Sequence, residues 1–277
     1  MRNKISLAGD LGSGKSTVAR ILIEALGAEY YCTGSIVRSI AEKMGMTTLE
    51  LNEYMETHPE IDKEIDDGIR ALSQDERAMV IDSRMAWHFT EGTFKVYLST
   101  DIETSALRIM SANRKGEHAA TLEDTVRETR ARRQSERKRY MDMYGVDIKS
   151  LFNYSLVVDT TVATPDRIAS LILSEFERFK ENPDDFEYAP ICYLSPERIN
   201  YPEDEDESSR LEEYLSLLEV GDKLPEAKVM EREGEFYIKE GRDAALAYAL
   251  SMYDFVPARL VEGAPADEKY VRMTNSL

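Results

Sequence analysis

Eight residues near the start constrain this chain more than any other stretch: Gly9-Asp10-Leu11-Gly12-Ser13-Gly14-Lys15-Ser16 matches the pattern G-x-x-x-x-G-K-S/T in full. The flanks agree with the letters. Lys4-Ile5-Ser6-Leu7-Ala8 reads as a short buried strand, and from Ser16 onward Val18, Ile21, Leu22, Ala25 and Leu26 recur at helical spacing up to Gly27. A strand, a glycine turn and a helix N-terminus in that order aim backbone N–H groups and the positive end of a helix dipole at one point, which suits phosphate. Gly9, Gly12 and Gly14 let the backbone close around the anion without a Cβ in the way. This spacing predicts a nucleoside triphosphate site over Gly9–Thr17, with ATP as ligand. Ser13 lies in the turn, Lys15 bridges the β- and γ-phosphates, and the Ser16 hydroxyl, followed by Thr17, ligates Mg²⁺.

Composition narrows the partners. At 277 residues two domains are the expectation, and a hydrophobic content of 42% is enough for a sizeable core. A formal charge of −18 argues against nucleic acid or an anionic membrane as partner, because both would be repelled. The two cysteines, Cys32 and Cys192, stand far apart and outside any C-x-x-C, as expected for a cytoplasmic chain without disulfides or a metal site. Met1-Arg2-Asn3-Lys4 runs straight into the first strand, no leader is expected there, and no apolar run reaches membrane-spanning length.

Up to about residue 180, strand-like and helix-like segments alternate. Further strands are expected at Ala28–Cys32, Ala78–Asp82, Phe94–Ser99 and Ser155–Asp159. Helices are expected at Gly34–Met44, Thr48–Met55, Pro59–Leu72, Asp101–Ala112, Leu122–Tyr144 and Pro165–Phe179. This order specifies an α/β fold, a parallel sheet covered by helices, with ligands at the carboxyl ends of its strands. Residues 1–180 form the first expected domain and 181–190, containing Asn182-Pro183-Asp184-Asp185, a linker. Residues 191–277 form a small α+β domain: a strand at Ile191–Leu194, an acidic loop at Glu203–Glu207, a helix at Ser209–Leu218, two strands about Gly234, a helix at Arg242–Met252 and a strand at Val256–Val261.

The remaining polar residues at strand ends bear on the phosphoryl acceptor. Arg38 lies one turn into the helix after Thr33-Gly34, and Arg84 follows the third strand directly after Asp82-Ser83. Two guanidinium groups from neighbouring strand tips can hold a second phosphate bidentately, which makes Gly34, Arg38 and Arg84 acceptor-site candidates. Asp82 ends the apolar run Met79-Val80-Ile81, where a carboxylate would orient water ligands of Mg²⁺. Arg127–Arg139 is the most basic stretch of an acidic chain and reads as a lid, with a solvated helix face as the alternative. Its Arg132 and Arg133 are the expected contacts to the charge that builds during phosphoryl transfer, with Arg114 and Arg130 as further candidates. His58, His88 and His118 are scattered, in keeping with a transfer to phosphate that needs no general base.

Together these stretches resemble the nucleoside monophosphate kinases, and most closely their short cytidylate kinase branch. The resemblance is carried by Gly9–Ser16, Thr33-Gly34 with Arg38, the acidic helix His58-Pro59-Glu60-Ile61-Asp62-Lys63-Glu64-Ile65-Asp66, Asp82-Ser83-Arg84, and Ser135–Tyr140 followed by Tyr144-Gly145-Val146-Asp147-Ile148. It implies a P-loop kinase with a five-stranded parallel sheet and a helical lid, transferring the γ-phosphate of ATP to CMP or dCMP. It also implies that Arg38 and Arg84 hold the acceptor phosphate, that Arg132 belongs to the lid, and that Asp62 or Asp66 faces the acceptor nucleoside. Solvated helix charge accounts for those two aspartates equally well. Two residues depart from the pattern: Asp10 stands where relatives often carry proline or serine, and Ser83 where glycine is common.

The C-terminal part resembles, more weakly, the ParB/sulfiredoxin-like fold through Tyr193-Leu194-Ser195-Pro196, Gly221-Asp222-Lys223-Leu224-Pro225, Glu235–Arg242 and Val256-Pro257-Ala258-Arg259. Gly241-Arg242 would suit a phosphate there, although only one arginine stands where that fold usually has several, and a structural or nucleotide-sensing add-on is the expected role. The same first domain acting on another nucleotide or a small metabolite, and a non-catalytic nucleotide sensor, remain alternatives at this stage.

Overall fold

The glycine turn sits between β1 (Lys4–Gly9) and α1 (Lys15–Leu26), and the chain continues through β2 (Glu29–Cys32), α2 (Thr33–Met44), α3 (Thr48–Met55), α4 (Pro59–Ala71) and β3 (Met79–Asp82). Next come α5 (Ala86–Phe89), β4 (Phe94–Ser99), α6 (Ile102–Ser111), α7 (Leu122–Tyr144), β5 (Leu156–Asp159) and α8 (Pro165–Glu181). The last part holds β6 (Ile191–Leu194), β7 (Ile199–Pro202), α9 (Leu211–Glu219), β8 (Ala227–Arg232), β9 (Glu235–Glu240), α10 (Arg242–Leu250), β10 (Val256–Leu260) and β11 (Tyr270–Arg272). The computed structural model describes residues 3–112, 121–187, 189–203, 210–265 and 269–276. Arg114, His118 and all but the first residue of the acidic stretch Glu203–Glu207 lie outside the described residues.

Local signals set the helix ends. Gly27 takes the left-handed conformation after α1 and Gly145 after α7, each returning its N–H to the last helical turn. Thr47 and Glu50 form a reciprocal capping box on α3, Asp101 caps α6 through two backbone N–H groups, and Thr164 with Pro165 starts α8.

The fold is α/β. The parallel order β2-β3-β1-β4-β5 gives the five-stranded sheet, and β1, at its centre, is buried along its whole length. Ile5, Leu7, Val80, Phe94, Val96, Leu98, Leu156 and Val158 pack under α1 and α8 in one apolar cluster. The sheet does not stop there. β6 adds in parallel to β5, with Leu156 opposite Ile191 and Val157 opposite Cys192, and the sheet runs on as β10-β8-β9-β7-β11 to eleven strands. β7 and β11 were not among the expected strands; each is short and completed by partners distant in sequence. Within the expected linker, Phe186 packs against the first part of the chain, 5.5 Å from Phe94 and 5.7 Å from Phe179 between ring centroids. A buried ion pair ties the two parts across the seam: Arg198, just before β7, lies 3.3 Å from Asp159 at the end of β5.

Candidate active site

The glycine turn adopts the geometry its spacing predicts. Gly9, Gly12 and Gly14 all have positive φ, and a Cβ on Gly9 would meet the Leu98 carbonyl oxygen at 2.4 Å, one on Gly12 the Ser105 carbonyl oxygen at 2.5 Å. Among the described residues, the backbone N–H groups of Gly12, Gly14, Lys15 and Ser16 have no acceptor. Four unpaired donors around one turn are an open anion cradle. The Lys15 ammonium lies across it, donating to the carbonyls of Gly9 (3.0 Å) and Asp10 (2.7 Å). Burial, and next the positive Arg84, push Lys15 down to about 7, against the pull of Asp82, Asp10 and Glu136.

A cavity of about 130 Å³ opens beside this turn, lined by Gly12, Gly14, Lys15, Ser16 and Thr17 from the turn and by Gly34, Arg38, Asp66, Asp82, Arg84 and Arg132 from β-strand ends and helices. Arg38 is exposed and unpaired among the described residues. Arg84 follows β3, its backbone fixed by the Trp87 indole N–H on its carbonyl (2.8 Å). Its guanidinium meets Glu136 at 2.8 Å, and Glu136 meets Arg132 at 3.2 Å. Burial opposes the ionisation of Glu136, yet Arg84 and Arg132 outweigh it and hold the carboxyl at about 2. Asp82 accepts from the Tyr30 hydroxyl at 3.1 Å, and the Thr33 hydroxyl reaches the Asp82 carbonyl at 3.4 Å, which draws the β2 and β3 ends together.

On the far wall, α4 turns Asp62 and Asp66 inward and both are buried. Asp62 pairs with Arg139 at 2.6 Å, while Arg139 also donates to Asn52 on α3. Burial raises Asp62, opposed by Arg139, and pushes Asp66 to about 6 despite the 2.9 Å hydrogen bond it accepts from Tyr144. Neither aspartate is a solvated helix charge.

Three expected site residues stand elsewhere. Gly9 and Ser13 shape the turn without lining the cavity; the Ser13 hydroxyl donates back to the Asp10 carbonyl at 2.8 Å. Arg133, expected over the transferring group, points behind the turn and donates to the Leu11 carbonyl (3.4 Å) and Ser105 (3.2 Å), 3.7 Å from Asp10. The reason is helical geometry: Arg132 and Arg133 are about 100° apart on α7, so they face opposite sides of the turn. Asp10 belongs with Arg133. Its carboxylate accepts from Tyr97, from the Thr100 backbone N–H and from Lys149, away from the phosphate side. Burial works against this carboxyl, but Lys149 and Arg133 outweigh it and hold it well below the usual range. Ser83 is accounted for too, since its hydroxyl accepts from the Met85 backbone N–H at 3.2 Å. Glu136, Arg139, Asn52 and Tyr140 line the cavity without having been expected there.

A profile of the AAA domain family matches residues 5–140. Over 181 residues the chain is 35% identical to a cytidylate kinase of Thermoplasma volcanium, covering 63% of this chain and 91% of that one. Over 183 residues it is 36% identical to a cytidylate kinase of Haloarcula marismortui, covering 65% and 93%. It is 37% identical over 179 residues to an S-adenosylmethionine-dependent nucleotide dehydratase of Lacinutrix mariniflava, but spans only 37% of that protein's length and 64% of its own. Among solved structures, a shikimate kinase from Acinetobacter baumannii aligns with a TM-score of 0.41 at 18% identity, over 65% of this chain and 96% of its own. Among the described residues, no helix is long and apolar enough to cross a membrane.

Proposed function

The chain belongs to the nucleoside monophosphate kinase family and is a phosphotransferase, and from that premise we propose that it moves the γ-phosphoryl group of ATP onto CMP or dCMP with Mg²⁺ bound. The observation that carries this reading is the shared cavity, in which unpaired backbone N–H groups with Lys15 face Arg38, Arg84 and Arg132. Two anions held end to end in one cleft is the arrangement an in-line transfer requires.

In this reading Lys15 and the turn's amides hold the triphosphate, and Arg38 and Arg84 align the acceptor phosphate. An acceptor phosphate oxygen forms a bond to the γ-phosphorus while the bond to the β,γ-bridging oxygen breaks, and ADP leaves with that electron pair. Arg132 offsets the charge on the equatorial oxygens. The oxygen donors Ser16 and Asp82 suit a hard cation, and would hold Mg²⁺, which neutralises charge on the triphosphate. Arg133 positions the turn from behind rather than touching the transferring group.

Similarity to cytidylate kinases over nearly their full length supports cytidine, as does the polar wall. Cytosine offers an amino donor beside two acceptors, which Asp62 or Asp66 and Arg139 complement. The nucleotide dehydratase relative supports a nucleotide over a metabolite alcohol as acceptor. The test is an acceptor panel with ATP and Mg²⁺: CMP, dCMP, UMP, AMP and shikimate. Turnover of CMP or dCMP at least tenfold faster than the others is expected. Turnover of shikimate with none of CMP overturns the proposal.

A further inference from the structure

Behind the phosphate turn lies a second and larger cavity, of about 1000 Å³, between the β4 end and the C-terminal strands. It shares no lining residue with the kinase cavity. Its floor is Asp10, Tyr97, Ser99 and Thr100, its walls are Arg133 and Lys149 on one side and Arg198 with the β8–β9 turn on the other. Buried polar atoms without a hydrogen-bond partner concentrate here. Thr100 Oγ1, Asp101 Oδ2, Arg133 Nε and Arg198 Nε all belong to residues lining this cavity, and Thr100 and Arg198 are each only 2% exposed. These atoms lie in the wall, just beneath the cavity surface, and an open volume of this size with polar side chains in its wall suits a polar ligand. Two apolar side chains flank the opening, Leu107 at 54% and Phe152 at 46% exposure, where an exposed aromatic ring offers a stacking face.

The lining carries both signs of charge. Cationic Arg133 and Lys149 lie beside the phosphate turn, held there by Asp10, while Glu103, Glu197 and Glu233 line the cavity without any ion pair among the described residues. Cations beside the phosphate turn, carboxylates able to accept from hydroxyl or amino groups and a ring to stack on fit one ligand chemistry. We propose that this cavity is a second nucleotide site, taking a nucleoside phosphate with its phosphate toward Lys149 and Arg133. Occupancy would be felt at the kinase turn, because the phosphate competes with the Asp10 carboxylate for both cations. This site stands apart from the acceptor reading above and holds whichever acceptor the kinase cavity takes.

The experiment titrates the full chain with ADP, by calorimetry and by amide hydrogen exchange. Binding of ADP to the glycine turn follows from that turn alone, so failure of CMP turnover leaves this test intact. The expected result is an equivalent of ADP, additional to those bound in the kinase cavity, that slows exchange in residues 97–104 and 231–236. That equivalent is expected to weaken at least tenfold in both Thr100→Val and Phe152→Ala, and to be absent for ribose 5-phosphate, which lacks the base. Phe152 is half exposed, so its variant is expected to fold. Protection confined to residues 9–17 and 32–38, an equivalent that survives both substitutions, or equal binding of ribose 5-phosphate would overturn the proposal.

Discussion

Lys15 is the residue whose environment has the sharpest consequence. Its ammonium is held near neutrality by burial and by Arg84, so in the free protein it is half charged at a pH of about 7. A bound triphosphate raises that value. Nucleotide affinity is then fully present below pH 7 and falls as pH rises, by up to about tenfold per unit, because binding must also recruit a proton. ADP affinity measured from pH 6 to 9 checks this; Lys15→Met should remove the slope, and a flat wild-type profile would refute it. Lys15→Ala should also lower kcat by about 10²–10³-fold, the scale for losing one charge-stabilising donor. The turn was legible in the sequence because its demands are local: positive φ, no Cβ at close approach, a cation at fixed spacing. Glu136 and Arg139 were not, since a charge on a long basic helix looks the same whether it faces water or a buried partner.

Among the elements, α7 decides how the two anion sites are kept apart. Its bounds, Leu122–Tyr144, agree with the sequence reading, yet its buried residues are Thr125, Thr129, Glu136, Arg139 and Tyr140. They recur at helical spacing but are mostly polar, so apolar periodicity carries no sign of which face turns inward. On that face Glu136 pairs with both Arg84 and Arg132, which the proposed reaction assigns to the acceptor phosphate and to the transferring group. Glu136→Gln should therefore act in opposite directions. The unliganded protein loses about 3 kcal/mol, because two largely buried cations lose their counter-charge, while acceptor KM falls. Thermal melting and steady-state kinetics separate these effects, and a raised KM would show that Glu136 positions Arg84 instead of competing with the phosphate.

At the scale of the molecule, the alternation of strands and helices foretold the first five strands, and the seam beyond them escaped because a parallel pairing such as β5 with β6 leaves no short-range mark. Ile191, Cys192 and Leu194 are fully buried there. Removing residues 189–277 should therefore lower the melting temperature of the remainder or cause it to aggregate, at about 1.5–3 kcal/mol for each large apolar side chain lost from cover. A fragment melting with the full chain would mean that the first part stands alone. The continuous sheet also limits self-association. With β5 bonded along both sides, the free rims of this sheet among the described residues are the outer side of β2, four residues opening on Glu29, and that of β11, three residues closing on Arg272. Short rims that carry charge are poor templates for fibrous growth, so edge-to-edge addition of copies along this sheet is disfavoured.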